Sequence, residues 1–228
     1  MAVRDWPAWT RRSEGDRCLR PGGFGIRQQS RDLSRRCGGP GPGLDVSAHQ
    51  TSINWVKVHS SGAQFAYVKA TEGISITNAR FASEYNGSYR AGLIRGAYHF
   101  AHPNTSSGAA QARYFVAHGG GWSADGRTLP GALDVESNPH GPTCYGLSRS
   151  AMVTWIAGFA ATYHALTSRW PVIYTSRTWW TECTGGYAGF ATRDPLWVAR
   201  YAASPGALPA GWALLHLLAV RVQGHLPR

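Results

Sequence analysis

Short apolar stretches typical of buried strands alternate along the chain with segments of helical periodicity, and this alternation limits the fold more than any other feature. The elements predicted before residue 180 are strands at 43–47, 64–70, 93–100, 131–136 and 172–175 and helices at 53–61, 79–91, 106–118 and 148–168. Two more strands, at 196–201 and 212–220, follow without a clear helix between them. The alternation is typical of a mainly parallel sheet, and because no Gly-rich phosphate loop follows a strand, a barrel is favoured over an open sheet.

The stretch Leu133–Glu136 combines a predicted buried strand with two carboxylates. Side chains alternate between the faces of a strand, so Asp134 and Glu136 are expected to share one face. Neighbouring carboxylates push each other's proton affinities apart. A glycosidase needs such a pair, one acid to protonate the leaving oxygen and one anion to stabilise positive charge. An ordinary strand followed by a solvated loop would show the same pattern, so the rest of the chain has to decide.

Polar residues recur at the predicted carboxyl ends of the other strands. They are Asp45 after the first strand, Lys69 and Glu72 after the second, Tyr98 and His99 near the end of the third, and Tyr174 after the fifth. Active groups of a parallel barrel collect at the carboxyl ends of its strands. We therefore expect these side chains and the Asp134–Glu136 pair on one rim, although any one of them alone has a structural role at least as readily.

The net charge of +11 is divided between two unlike parts of the chain. Residues 1–40 contain nine Arg and four acidic residues, with neither periodicity nor the apolar run of a secretory signal. We expect 1–40 to be a disordered or mistranslated Arg-rich leader, and 41–228 to form a single barrel domain. The positive charge suits a polyanion such as the bacterial cell wall. Without a recognition motif or a long apolar run, neither nucleic acid nor a membrane span is expected.

The four cysteines, Cys18, Cys37, Cys144 and Cys183, lack the spacing of a metal site, and neither a metal nor another cofactor is expected. Cys144 and Cys183 each lie in a Gly/Thr-rich stretch after a predicted strand, so both are expected in loops on one rim. A disulfide between them is plausible and would indicate an oxidising compartment.

Five motifs, in this order along the chain, resemble glycoside hydrolase family 25, the Chalaropsis-type lysozymes or N-acetylmuramidases. They are GLDVSAHQ at 43–50, FAYVKATEG at 65–73, GAYHF at 96–100, LDVE at 133–136 and PLWVA at 195–199. The likeness covers residues 43–212 and is greatest to secreted actinomycete members. It implies an irregular TIM-like barrel of the (β/α)5β3 type.

The resemblance also implies an activity, the hydrolysis of the β-1,4 bond between N-acetylmuramic acid and N-acetylglucosamine in peptidoglycan. Glu136 would be the general acid, and Asp134 would orient or charge-stabilise the 2-acetamido group if that group is the nucleophile. Asp45 would shape a negative cleft. The substrate-binding residues would be Tyr98, Lys69, Glu72, Tyr174 and Trp197. A Cys144–Cys183 disulfide, extracellular localisation and a monomeric state are further expectations.

The end of the chain departs from the family pattern. Family members end with a strand close to Phe-Trp-Gln-Tyr and a further cleft acid, whereas residues 216–228 lack that motif and no carboxylate follows Asp194. A frameshift near Leu215 would account for the difference. A barrel whose last strand is missing or altered has an open edge, so we expect low activity or poor folding. The alternative function is an inactive remnant that binds cell walls, and a basic nucleic-acid binder is a third hypothesis.

Overall fold

The computed structural model describes residues 4–5, 43–50, 52–199, 206–213 and 217–219. The strands are β1 (Arg4–Asp5), β2 (Gly43–Val46), β3 (Phe65–Glu72), β4 (Ile76–Thr77), β5 (Ile94–Phe100), β6 (Ala132–Asp134), β7 (Val172–Thr175), β8 (Leu196–Ala199) and β9 (Leu217–Ala219). The helices are α1 (Trp55–Ser60), α2 (Phe81–Arg90), α3 (Gly108–Phe115), α4 (Arg149–Thr167) and α5 (Arg177–Thr184), and a π-helical turn at Val116–Gly120 continues α3. Apart from Arg4–Asp5, the leader expected at 1–40 lies outside the described residues.

The described strands form one curled, mainly parallel sheet, as the alternation predicted. Its order is β1-β2-β3-β5-β6-β7-β8-β9, with β1 antiparallel to β2 and β4 attached antiparallel to β3. Every other pair, from β2 to β9, is parallel. Among the described strands no pairing joins β9 back to β2, so the sheet is a half-barrel consistent with the irregular TIM-like type. β9 falls within the strand predicted at 212–220, whereas Trp212 lies in the preceding loop.

Serine side chains fix the starts of three helices. The hydroxyl oxygens of Ser107, Ser148 and Ser176 each accept a hydrogen bond from the backbone N–H three residues later, which satisfies a donor that the first turn leaves open. α4 confirms the helix predicted at 148–168, and its apolar stripe is buried. None of the helices in the described part of the chain is long and apolar enough to cross a membrane.

The helix that the (β/α)5β3 type implies after the fifth main strand had no bounds predicted from the sequence. α5 has eight residues there, and it ends at Gly185, which adopts a left-handed conformation with φ of 70°. The helix is too short for a clear apolar period. Its sequence signal was the pair of end residues, Ser176 as N-cap and Gly185 as C-cap.

Tyr67 fills the interior of the half-barrel beneath the carboxyl ends of the strands. Its ring stacks on Trp197 with centroids 4.9 Å apart, and its hydroxyl donates to the Pro130 carbonyl oxygen at 2.8 Å. Gly96 is paired with Tyr67 on the neighbouring strand, and a Cβ there would lie 2.3 Å from the tyrosine ring. A glycine at this position therefore makes room for the aromatic floor on which the site rests.

Candidate active site

The register of the sheet decides which side chains face the interior. Residues paired across parallel strands point to the same side, and so do residues two apart on one strand. The pairs Asp134–Tyr174 and Tyr174–Trp197 thus form one inward row over β6, β7 and β8. By the same rule Lys69 and Tyr98 face inward as a pair on β3 and β5.

These rows border an open cleft of about 550 Å³, counting the space that is open to solvent. The residues that line it are Asp45, Val46, Ser47, Gln50, Lys69, Tyr98, Phe100, Asp134, Glu136, Tyr174 and Trp197. The structure therefore brings together seven of the eight site residues predicted from the sequence. Glu72 is the exception, since it bonds Lys69 but is not itself among the lining residues.

The two central carboxylates differ in their surroundings. Asp134 is the last residue of β6 and is only 7% exposed, whereas Glu136 follows the strand and is half-buried. The pair was expected within a strand at 131–136, but β6 ends at Asp134. Both carboxyl groups reach the cleft, so a buried carboxyl group lies beside one that a substrate can reach.

Glu72 holds the cleft residue Lys69 in place. One of its oxygens bonds the Lys69 ammonium group, and the other bonds Nε2 of His102 at 2.8 Å. Burial alone would raise the pKa of Glu72, but the hydrogen bonds from Lys69 and His102 and their charges outweigh it and hold that pKa below its ordinary value. Lys69 also lies over the ring of Phe100, 4.9 Å from its centroid. Glu72 is thus placed to orient a cleft residue.

A buried polar network supports His102 from the opposite side of the sheet. Gln111 Oε1 accepts a hydrogen bond from the His102 backbone N–H at 3.1 Å and contacts His99 Nε2 at 2.9 Å. Because an amide oxygen only accepts, His99 carries its proton on Nε2, and its Nδ1 accepts from the Thr71 hydroxyl at 2.8 Å. Burial lowers the pKa of His99 to about 4. His99, predicted to lie near the rim, is therefore a neutral structural residue.

Sequence reasoning missed four lining residues and the support beneath them. Val46, Ser47, Gln50 and Phe100 lie inside two of the family-like motifs, and that position was the available signal. Gln50 accepts a hydrogen bond from the Ser47 backbone N–H at 2.7 Å, which closes the turn after β2. His102 and Gln111 lie outside those motifs, so only their contacts reveal them. In the described residues no group of three His, Cys, Asp or Glu side chains is placed to hold a metal ion.

The disulfide between Cys144 and Cys183 is present. Cys144 lies in the loop after β6, but the expected loop position of Cys183 was wrong, because that residue is buried within α5. Trp179 on the same helix donates from its indole N–H to the Thr143 carbonyl oxygen at 3.2 Å. The loop that follows the carboxylate pair is thus fastened to α5 by a covalent bond and a hydrogen bond.

A parallel half-barrel with a carboxylate pair, a lysine and four aromatic side chains at the carboxyl ends of its strands defines the class of the protein as a glycoside hydrolase. The chain belongs to the glycosyl hydrolases family 25, whose family model matches residues 44–216. The family predicted from five short motifs is thereby confirmed.

Individual relatives agree with this assignment. The chain is 53% identical to the N,O-diacetylmuramidase of Chalaropsis sp. over 174 residues, which cover 75% of this chain and 82% of that protein. It is 55% identical to lysozyme M1 of Streptomyces globisporus over 170 residues, which cover 75% of this chain and 58% of that protein. The crystal structure of the bacterial lysozyme from Streptomyces coelicolor is similar with a TM-score of 0.79 and 52% identity, covering 81% of this chain and 85% of that one.

Proposed function

We propose that this lysozyme hydrolyses the β-1,4 bond between N-acetylmuramic acid and N-acetylglucosamine in peptidoglycan. The observation that carries the proposal is the inward row of Asp134, Tyr174 and Trp197, which continues past β6 to Glu136 in the same cleft. The row combines groups that can protonate, stabilise charge and bind a sugar. Its relatives carry the names muramidase and lysozyme, which agrees with this substrate.

Glu136 is the proposed general acid, since it is the more accessible of the two central carboxyl groups. Its proton passes to the glycosidic oxygen as the bond from that oxygen to the muramic acid C1 breaks. The electrons of the broken bond stay on the leaving sugar, and positive charge develops at C1 and its ring oxygen. Asp134, buried and fixed at the strand end, stabilises that charge directly or through a 2-acetamido group that attacks C1. Water then completes the hydrolysis.

The remaining cleft residues bind and orient the glycan in this scheme. Tyr98 offers a flat apolar face with a hydroxyl group at its edge, a combination suited to a sugar ring, and Tyr174, which is only 2% exposed, lines the cleft beside it. Trp197 supports the floor beneath them, where its ring lies edge-on to Tyr174 with centroids 4.8 Å apart. Asp45 adds negative charge at the far wall, and Lys69 supplies the one cationic group among the described lining residues.

The decisive experiment compares reducing ends released from purified cell walls by the wild type and by Glu136→Gln. We expect the substitution to lower the rate at least about a hundredfold, because the general acid is lost. Glu182→Gln is the matched control, since Glu182 is exposed on α5. If the wild type binds walls but releases no reducing ends, the alternative of an inactive wall-binding remnant is correct instead.

We further propose that the enzyme acts outside the cell as a monomer. The Cys144–Cys183 disulfide supports an oxidising compartment, and the substrate lies outside the membrane. Light scattering during size-exclusion chromatography tests the monomer, for which a mass near 24.7 kDa is expected. A mass of twice that value at micromolar concentration would contradict it.

A further inference from the structure

Four arginines lie at the end of the sheet opposite the cleft, and the reaction proposed above uses none of them. Arg95 is the second residue of β5, and Arg127, Arg169 and Arg193 lie in the segments that lead into β6, β7 and β8. The strands from β5 to β8 are parallel neighbours, so these residues follow one another along the amino ends of the strands. We call the four residues the arginine belt.

The half of the belt that precedes β7 and β8 is built from two contiguous pairs of an arginine and a tryptophan. The guanidinium carbon of Arg169 lies 3.9 Å from the ring centroid of Trp122, and that of Arg193 lies 4.4 Å from the ring centroid of Trp170. Trp170 directly follows Arg169 in the chain. The two pairs are therefore neighbours on one surface.

The other half of the belt is connected to these pairs by the backbone. The guanidinium carbons of Arg95 and Arg127 lie 4.2 and 4.0 Å from the ring centroid of Tyr89. The Trp122 indole N–H donates to the carbonyl oxygen of Thr128, which follows Arg127, at 2.8 Å, and Thr128 forms a bridge with Arg95. Each member of the belt is thus joined to the next through contacts or chain neighbours.

Two of the arginines are open to solvent. Arg169 is exposed, and its guanidinium donates no hydrogen bond to a described residue. The side chain of Arg193 is 36% exposed and donates its Nε–H to Asp194 Oδ2 at 3.0 Å. An aromatic ring attracts a cation without being a conventional hydrogen-bond acceptor. The rings therefore order these side chains and leave N–H groups available for the oxygens of an anion.

Few acidic groups oppose the belt. The segments that carry it contain five arginines and two acidic residues in total: 89–95, 118–130, 164–171 and 190–195. Both acidic side chains already accept hydrogen bonds from their neighbours. Asp125 accepts from the Arg127 backbone N–H at 2.9 Å, and Asp194 accepts from Arg193. This end of the molecule is therefore positive, whereas the cleft at the other end contains the carboxyl groups.

We propose that the arginine belt binds the phosphodiester groups of a cell-wall polymer of the teichoic acid class while the cleft acts on the glycan. Neighbouring strands lie about 4.8 Å apart, so the belt extends over about 15 Å, a length that suits a chain of phosphates better than one small anion. Guanidinium groups are strong donors to phosphate oxygens. The choice of a wall polymer among polyanions rests on the proposed function.

The first test measures binding to insoluble Gram-positive cell walls by co-sedimentation. All proteins carry Glu136→Gln, so that the walls stay intact during the measurement. We expect binding to untreated walls to be about tenfold tighter than binding to walls stripped of teichoic acid with hydrofluoric acid. Added salt should reduce the difference, because exposed charges are screened. Equal affinity for the two kinds of wall would overturn the proposal.

A double substitution, Arg169→Gln with Arg193→Gln, should abolish the preference for untreated walls. The matched control is Arg113→Gln with Arg177→Gln, which removes the same charge from exposed positions on α3 and α5 outside the belt. The control should keep the preference. If the control loses it to the same extent, net charge and not the belt is responsible, and the proposal is overturned.

A second measurement needs no substitution in the belt. On addition of soluble teichoic acid, the indole N–H signals of Trp122 and Trp170 in nitrogen NMR should shift, and that of Trp179, which bonds the loop after β6, should not. No shift, or displacement of the protein from walls by DNA but not by soluble teichoic acid, would overturn the proposal. Neither measurement requires turnover, so both decide about the belt even if the wild type releases no reducing ends.

Discussion

Lys69 and Glu72 lie three positions apart on β3, yet both belong to the inner side of the sheet. Lys69 pairs with Tyr98 and Thr71 pairs with His99, so Ala70 is an extra residue that has no partner of its own on β5. This bulge reverses the alternation of side chains. Thr71 turns outward to bond His99, Glu72 pairs with Phe100 on the inner side, and the Lys69–Glu72 ion pair becomes possible.

The Lys69–Glu72 ion pair predicts a pH-dependent loss of stability in Glu72→Gln. The pKa of Glu72 is lowered in the folded protein. Its carboxylate therefore stabilises the fold above the ordinary glutamate pKa near 4.5, and this contribution is lost as the pH falls through the lower folded value. We expect the variant to be about 1 kcal/mol less stable at pH 7 and equal to the wild type at strongly acidic pH. Urea denaturation at several pH values measures the difference, and a constant difference would contradict it.

Asp194 predicts a dependence of stability on pH that has the opposite sign. Burial raises the pKa of its carboxyl group to about 6 although the Arg193 guanidinium beside it opposes the rise. The folded state thus favours the protonated form. Stability from this group is fully present below the unfolded pKa of 3.8 and is lost as the pH rises through about 6.

Through Asp194, the wild type should lose about 3 kcal/mol in its free energy of unfolding between pH 4 and pH 7, and we expect Asp194→Asn to abolish this loss. Thermal denaturation of wild type and variant over that range checks the prediction, with the difference between the two proteins as the observable. The other titrating groups cancel in this comparison. Parallel curves for the two proteins would show that burial of Asp194 does not raise its pKa.

Gly96→Ala should destabilise the fold, because the added methyl group meets the ring of Tyr67 at 2.3 Å. That ring cannot move away, since it is fully buried and stacked on Trp197. We expect a loss of about 2 kcal/mol in the free energy of unfolding. Gly121→Ala is the control, because a Cβ there meets no atom within 4 Å and its φ of −62° suits any residue. A loss of similar size in the control would mean that crowding of Tyr67 is not the cause.

Removing the disulfide should cost about 3–4 kcal/mol, since Cys144 and Cys183 are 39 positions apart and the bond closes a long loop in the unfolded chain. The double variant Cys144→Ser with Cys183→Ser is compared with the wild type in guanidinium denaturation. A reducing agent should lower the stability of the wild type towards that of the variant and leave the variant unchanged. Equal stabilities in the absence of reductant would contradict the expected contribution.

Much of the fold followed from local sequence patterns. The alternation of strands and helices predicted the mainly parallel sheet, and the stripe from Met152 to Tyr163 predicted α4 because a buried helix face repeats every 3.6 residues. The carboxylates Asp134 and Glu136 were found from their place at a strand end. The helix α5 was missed because eight residues give too few turns for a period to be seen.

The sequence by itself determined which side chains follow each strand, and family-like motifs identified most of the cleft wall. Only the tertiary structure decided their partners. A bulge at Ala70, the support of Glu72 by His102, and the burial of Asp134 at the end of β6 all depend on contacts between residues distant in the chain. Local propensity carries no record of such contacts, because register, burial and the neighbouring charges of a group exist only once the strands are paired.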